Sequence, residues 1–276
     1  MRVAILQMTS GDDPAENVAT LLNAVTEAKA GGADMLLTPE VSNCLSSSRR
    51  HQMDVLRHES EDPTLAALRE AAGQAGLWML IGSLALKTDD ADGRFANRSF
   101  MIDASGEIVA RYDKIHMFDV DLSETESYRE SDGYRPGQSA VVAQTPWGGI
   151  GLSICYDVRF PHLYRALAQN GAQVLTVPAA FAVPTGEAHW HTLLRARAIE
   201  TGCFVIAPAQ VGQHGGGTGA LRKTYGHALA VSPWGEVLSD AGTVSGLSFV
   251  DLDLDDVAKA RRRVPSLSHD RPFEGP

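Results

Sequence analysis

The sequence predicts an α/β fold in which strands and helices form stacked layers, with antiparallel pairs added to the sheets. Three observations carry this. Short apolar runs of strand character alternate with longer segments whose apolar residues recur at helical spacing. Connections between them are short and no linker of distinct composition divides the 276 residues, so a single domain over 1–276 is expected. Two strand-like runs also flank the turn "ASG", a hairpin signal.

The elements follow in order. "RVAILQM" reads as a buried strand. Asp13 and Pro14 then open a helix that carries Val18, Leu21, Leu22 and Val25 on one face and closes at Gly31-Gly32. "ADMLLTPE" is a second strand that runs out to Glu40. Pro63 starts a helix with Leu65 and Leu68 inward, and "LWMLIGSLAL" is a third strand. "RSFMID" and "EIVARYD" are the hairpin arms, with Lys114 just past the second. "GGIGLSI" is a strand leading into Cys155; "PHLYRALAQNG" is a helix, "AQVLTVP" a strand, and residues 186–202 a helix. "CFVIAPAQ", "HALAVSP", "GEVLSD" and "GLSFVDLDL" are read as further strands, and the glycines of residues 212–223 as a mobile loop.

Composition excludes several classes. A formal charge of -10 argues against a nucleic acid or other polyanion as partner, and Arg261, Arg262 and Arg263 read as a solvated helix face. No stretch approaches the apolar run of a membrane helix, and the first residues carry too short an apolar core for a signal peptide, so a cytoplasmic protein is expected. Three widely spaced cysteines suggest neither a disulfide framework nor a zinc site.

In layered α/β folds, sites gather where strands end. Glu40, Lys114 and Cys155 all stand at strand exits. By residue type, a cysteine in an apolar run belongs to the core. By position, a strand-to-helix turn would expose the Cys155 thiol and free the following backbone N–H groups to hold an oxyanion, the logic of a nucleophile elbow. A free thiol titrates near about 8.5, so a neighbouring base or cation must activate it. No CGxCW, HExxH, GxGxxG or P-loop pattern is present, so papain-type, dinucleotide and nucleotide chemistry lack their usual support, and His189 and His191 of "HWH" read as a structural pair with metal ligation the lesser alternative. Taken singly, Glu40 reads as a surface carboxylate, Lys114 as an ion-pair partner of Asp113 or Asp119, and Glu130 as a loop residue.

Together, "TPE", "RYDKIH", "RES" and "ICYDVRFP" resemble the nitrilase superfamily of carbon-nitrogen hydrolases, in an order that spans nearly the whole chain. The resemblance implies a four-layer α-β-β-α sandwich and a homodimer formed through "PHLYRALAQNG" and the tail at about 264–276. It implies a Glu40-Lys114-Cys155 triad assisted by Glu130, an oxyanion site at Lys114 and the Tyr156 backbone N–H, and a small-molecule amide substrate hydrolysed through a thioester, a mechanism that needs no metal or organic cofactor. Longer stretches, such as "AAFAVPTGEAHWHTLLRARAIETGCFVIAPAQVGQH", look most like the deaminated glutathione amidases of that superfamily. The alternatives are an ω-amidase acting on α-ketoglutaramate, an N-carbamoyl amino acid hydrolase, or a non-catalytic binding protein of the same fold. Phe181, Thr185 and His189 are expected near the substrate, Arg159 in a structural ion pair, and Arg222 and Lys223 in a solvated loop where they could meet a substrate carboxylate.

Overall fold

The computed structural model describes residues 1–122, 124, 127–215 and 221–275. Along the chain come β1 (Arg2–Met8), α1 (Pro14–Ala30), β2 (Met35–Leu37), α2 (Arg49–Val55), α3 (Pro63–Ala75), β3 (Trp78–Leu86), β4 (Ala96–Ile102) and β5 (Ile108–Asp113). After them come β6 (Asp119–Asp121), β7 (Ser127–Arg129), β8 (Val141–Thr145), β9 (Gly148–Leu152), α4 (Pro161–Gln169), β10 (Ala172–Thr176) and α5 (Val183–Thr201). The chain continues with β11 (Phe204–Ala207), β12 (Ala209–His214), β13 (Arg222–Tyr225), β14 (Leu229–Val231), β15 (Val237–Asp240), β16 (Gly246–Asp251) and α6 (Asp255–Arg263).

Two large sheets share most of these strands, and β6 and β7 pair with each other as a separate antiparallel ribbon. One runs in the order β13-β12-β1-β2-β3-β4-β5, with β16 also paired to β1; the other runs β15-β14-β11-β10-β9-β8. Each has a parallel centre and antiparallel flanks. The alternation along β1 shows the layering. Val3 and Ile5 enter a cluster with Ile150, Leu152, Val174 and Leu175 of the other sheet, whereas Ala4, Leu6 and Met8 pack with Leu21 and Val25 of α1 and Leu65 and Leu68 of α3. Leu163 and Leu167 of α4 and Trp190 and Leu194 of α5 cover the second sheet. The order α, β, β, α is the four-layer sandwich. Among the described residues no helix is long and apolar enough to cross a membrane.

Helix starts follow their caps. Asp13 accepts from Ala15 N–H and Asp62 from Leu65 N–H, each just before a proline at the first helical position. Three readings change. The run "CFVIAPAQ" is two strands: β11 belongs to the second sheet and β12 to the first, divided at Pro208, which has no N–H to continue a ladder. β2 stops at Leu37, so Glu40 stands on a loop. The segment 212–223, expected as a loop, begins inside β12 and ends inside β13, which pair antiparallel from Val211↔Tyr225 to His214↔Arg222; its residues 216–220 lie outside the described residues.

Candidate active site

Glu40 sits on a loop seated against a bulge in β3. The β3–β4 register shifts between Ile81 and Leu84, and the groups this frees hold the loop: Ser83 N–H donates to Pro39 O, Ser83 Oγ accepts from Val41 N–H, and Gly82 N–H donates to Thr38 Oγ1. Gly82 is needed there, because a Cβ would come within 1.9 Å of Thr38 O and 2.5 Å of Pro178 Cβ. Lys114 follows β5, its N–H bonded to Asn97 O on β4. Cys155 lies three residues beyond β9, at the head of a one-turn 3-10 helix, Cys155–Arg159.

These exits meet in a cavity of about 630 Å³ lined by Glu40, Lys114, Glu130, Cys155, Tyr156, Phe181 and Thr185. The Lys114 ammonium is only 2% exposed and touches both carboxylates: Nζ is 2.9 Å from Glu40 Oε1, and 2.9 and 2.8 Å from the two oxygens of Glu130. Asn97 Nδ2 donates to Glu40 Oε1 at 2.9 Å and to Glu130 Oε1 at 3.4 Å. Ala180 N–H takes the other Glu40 oxygen at 2.8 Å, and Phe118 N–H the other Glu130 oxygen at 2.6 Å.

The electrostatics divide the roles. Burial pushes the Glu40 carboxyl up, but Lys114, with Arg222 adding to it, overrides this and holds it below the ordinary range. Burial pulls Lys114 down, and Glu130 and Glu40 more than restore it, so it stays an ammonium. Burial, then the Glu40 charge, pushes Cys155 well above an ordinary thiol, against Lys114. The resting site therefore holds a neutral thiol beside an ionised glutamate.

Two residues here adopt left-handed backbone that side chains disfavour: Val41 at φ 47°, next to Glu40, and Cys155 at φ 49°. Such conformations cost on the order of 1–3 kcal/mol each and persist where the surroundings over-determine them. At Cys155 the surroundings are visible. Its N–H donates to Pro178 O, and the first intrahelical bond runs from Asp157 N–H to Ile154 O. Tyr156 N–H precedes that bond, at a position where helix geometry supplies no acceptor.

Of the expected substrate residues, Phe181 and Thr185 line the cavity. His189 does not: it is exposed on α5, its Nδ1 3.3 Å from Arg159. Arg159 has no carboxylate partner among the described residues and lies over the rings of Tyr156 and Phe181, at 5.8 and 5.4 Å. His191 and His227 both bond Asp240, away from the cavity. Arg222 belongs to β13 and lines the cavity, where a solvated loop was expected, while Lys223 beside it is exposed. Asn97, the Ala180 N–H and the wall formed by Phe118, Tyr128 and Tyr156 were not foreseen. No local motif marks them, because each acts across strands distant in sequence.

A buried glutamate-lysine-glutamate cluster beside a cysteine at a strained strand exit, inside an α-β-β-α sandwich, defines a class of cysteine-dependent amide hydrolases. The chain matches the family described as carbon-nitrogen hydrolase over residues 2–262, and it belongs to that family. Among its relatives is the deaminated glutathione amidase of Yersinia enterocolitica, 40% identical, the match covering 98% of this chain and 92% of that protein. The crystal structure of the Caenorhabditis elegans NitFhit protein superposes with a TM-score of 0.90 at 35% identity, covering 98% of this chain and 65% of that longer one. A mutant of the amidase from Nesterenkonia sp. AN1, bearing acrylamide added at its active-site cysteine, superposes at 0.78 with 28% identity, covering 96% of this chain and 98% of that one.

Proposed function

We propose that this amidase hydrolyses deaminated glutathione, with Cys155 as nucleophile and Glu40 as the proton carrier. The observation that carries the reading is the Lys114 ammonium held between the Glu40 and Glu130 carboxylates in the cavity on which Cys155 opens. Since the thiol is high and the glutamate low, proton transfer is uphill at rest. It proceeds as the sulfur attacks, when the new C–S bond consumes the thiolate as it forms. The negative charge moves to the carbonyl oxygen, where the Lys114 ammonium and the Tyr156 N–H stabilise it, a well-placed donor being worth about 3 kcal/mol. Glu40 then protonates the leaving nitrogen and the C–N bond breaks, leaving a thioester on Cys155. A water attacks that thioester, giving its proton to Glu40, and the released thiolate recovers one, which restores the resting site. Glu130 stays bonded to Lys114 throughout and keeps the ammonium in place.

The substrate follows from the relative's name, and its chemistry suits the cavity. Deaminated glutathione joins a five-carbon keto acid through an amide to cysteinylglycine; the products are α-ketoglutarate and that dipeptide. The test is product release from deaminated glutathione, α-ketoglutaramate and N-carbamoyl amino acids by the wild type and by Cys155→Ala. The expected result is preference for the first substrate and loss of turnover in the variant with the fold intact by circular dichroism. Turnover retained in Cys155→Ala would overturn the mechanism, and equal rates on all three amides the substrate.

We also propose a cytoplasmic homodimer. Its three cysteines are unpaired, as suits a reducing compartment. The tail lies on α4, with Gln169 Nε2 donating to Leu267 O and Asp270, and the exposed Ile199, Trp234 and Val264 supply apolar area nearby. Size-exclusion chromatography with light scattering at twice the chain mass supports the dimer, and a monomer refutes it.

A further inference from the structure

We propose that Arg222 is a specificity-determining residue that holds a carboxylate on the leaving-amine half of the substrate. The inference deepens the deaminated glutathione reading and rests on it.

The cations around the cavity differ in what already holds them. Lys114 is bonded to Glu40 and Glu130. Arg129 makes two bonds, of 2.7 and 2.9 Å, to Asp121. Arg49 donates to the carbonyls of Gly133 and Gly93, both at 2.8 Å. Arg222 makes one bond, from Nη2 to Ala180 O at 2.7 Å, and no carboxylate pairs with it among the described residues. Its Nε–H is buried with no acceptor among the described residues. A buried donor left unmade costs on the order of 1–3 kcal/mol, and more on a charged group, so such a group calls for a ligand that completes it. The planar guanidinium fork suits a carboxylate, taken by Nε–H and the remaining N–H of Nη2.

Position assigns the half of the substrate. Ala180 bridges the two residues: its N–H holds Glu40 Oε2 and its carbonyl holds Arg222. Glu40 gives the proton to the leaving nitrogen, so the departing half lies on Glu40's side of the thiol, the side Arg222 occupies. Arg222 also lies 5.5 Å from the Tyr128 ring, whose face forms a low-polarity wall beside the guanidinium. Ammonia offers nothing to this group. A leaving dipeptide offers its C-terminal carboxylate, and binding it would separate peptide amides from primary amides with the same acyl half.

The experiment compares kcat/KM for deaminated glutathione, the same compound with its glycine carboxyl amidated, and α-ketoglutaramate, in wild type, Arg222→Gln and Arg222→Lys. Expected in Arg222→Gln is a fall of tenfold or more in the ratio of deaminated glutathione to α-ketoglutaramate, chiefly through KM. Amidating the glycine carboxyl should cost the wild type a similar factor and Arg222→Gln almost nothing, and Arg222→Lys should recover part of the ratio. An unchanged ratio, or an equal amidation penalty in wild type and Arg222→Gln, overturns the inference while leaving the substrate reading intact. Wild-type enzyme inactive on deaminated glutathione overturns both.

Discussion

The Asp157 carboxylate accepts both the backbone N–H and the ring Nδ1–H of His116, at 3.0 and 2.7 Å. Its other oxygen accepts Tyr112 OH at 2.7 Å and Ile154 N–H at 2.8 Å. Two residues after Cys155 and bonded to a residue two after Lys114, it ties the nucleophile's turn to the segment that carries the ammonium.

Asp157→Asn puts an amide N–H against donors it cannot satisfy inside the core. The expected loss is about 3 kcal/mol of stability, the scale of a buried charged acceptor removed from its donors. A drop in kcat of tenfold or more with KM nearly constant should accompany it, since alignment is lost and the pocket is not. Tyr112→Phe removes one of the four donors and should cost about 1 kcal/mol. Denaturant unfolding with steady-state kinetics measures both, and an Asn variant as stable and active as wild type would refute the tether.

Removing Lys114 as Lys114→Met leaves two buried carboxylates facing each other, at a cost of about 3–5 kcal/mol. The sign with pH follows from Glu40. In the wild type its depressed pKa adds stability above the unfolded carboxyl value, lost as pH falls through the folded one. Without the ammonium, burial dominates, the folded pKa rises above the unfolded one, and the charged form is penalised. The variant's deficit should thus be larger at pH 8 than at pH 5. Unfolding free energies at the two pH values test this, and a deficit independent of pH would refute it.

Alkylation by iodoacetamide should reach Cys155 before Cys44 or Cys203. Cys155 and Cys44 both line the cavity and burial raises both thiols, but only Cys155 has a carboxylate, that of Glu40, beside it to take its proton, whereas the Cys44 thiol is turned to Asp12 O and Cys203 is enclosed behind Arg261. Because Cys155 rests as a thiol, its rate should climb with pH through pH 9 without a plateau. Mass spectrometry of tryptic peptides gives the order, and Cys44 modified as fast as Cys155 would contradict it.

His214 is 1% exposed and sits between Ser10 O, 2.9 Å from Nδ1, and Thr224 Oγ1, 2.6 Å from Nε2. Nδ1 carries the proton toward the carbonyl and Nε2 accepts from the hydroxyl. Burial lowers its pKa to about 4. Above pH 6.5 it is neutral folded and unfolded and contributes no pH dependence. Between about 6.5 and 4 only the unfolded chain takes the proton, so stability falls with acidity, by up to about 3 kcal/mol. His214→Asn keeps the donor to Ser10 and should flatten that part of the stability curve. An unchanged slope over this range would count against it.

Much of this was legible in the sequence. Cys155, Glu40 and Lys114 stand near the ends of strand-like runs, which marks them as candidates, but taken singly each reads as an ordinary residue and only the resemblance groups them; the hairpin is marked by its turn. Glu130 lacks even that mark of position, since nothing in "RES" says that the loop folds onto Lys114. Asn97, the Ala180 N–H and Asp157 were hidden because their partners lie 57, 140 and about 40 residues away. The split at Pro208 was hidden because two buried strands in different sheets have the same apolar composition as one long strand.

That split bears on how the chain folds. From Phe204 to His214 the backbone leaves one sheet and enters the other with Pro208 alone between them, and Gln210 bonds back to Ser10 across 200 residues. Neither sheet can complete its ladder before the other has largely formed, and the contacts that complete it are among the most remote in sequence. Such wiring favours slow folding of high contact order and loss of both sheets in a single cooperative transition.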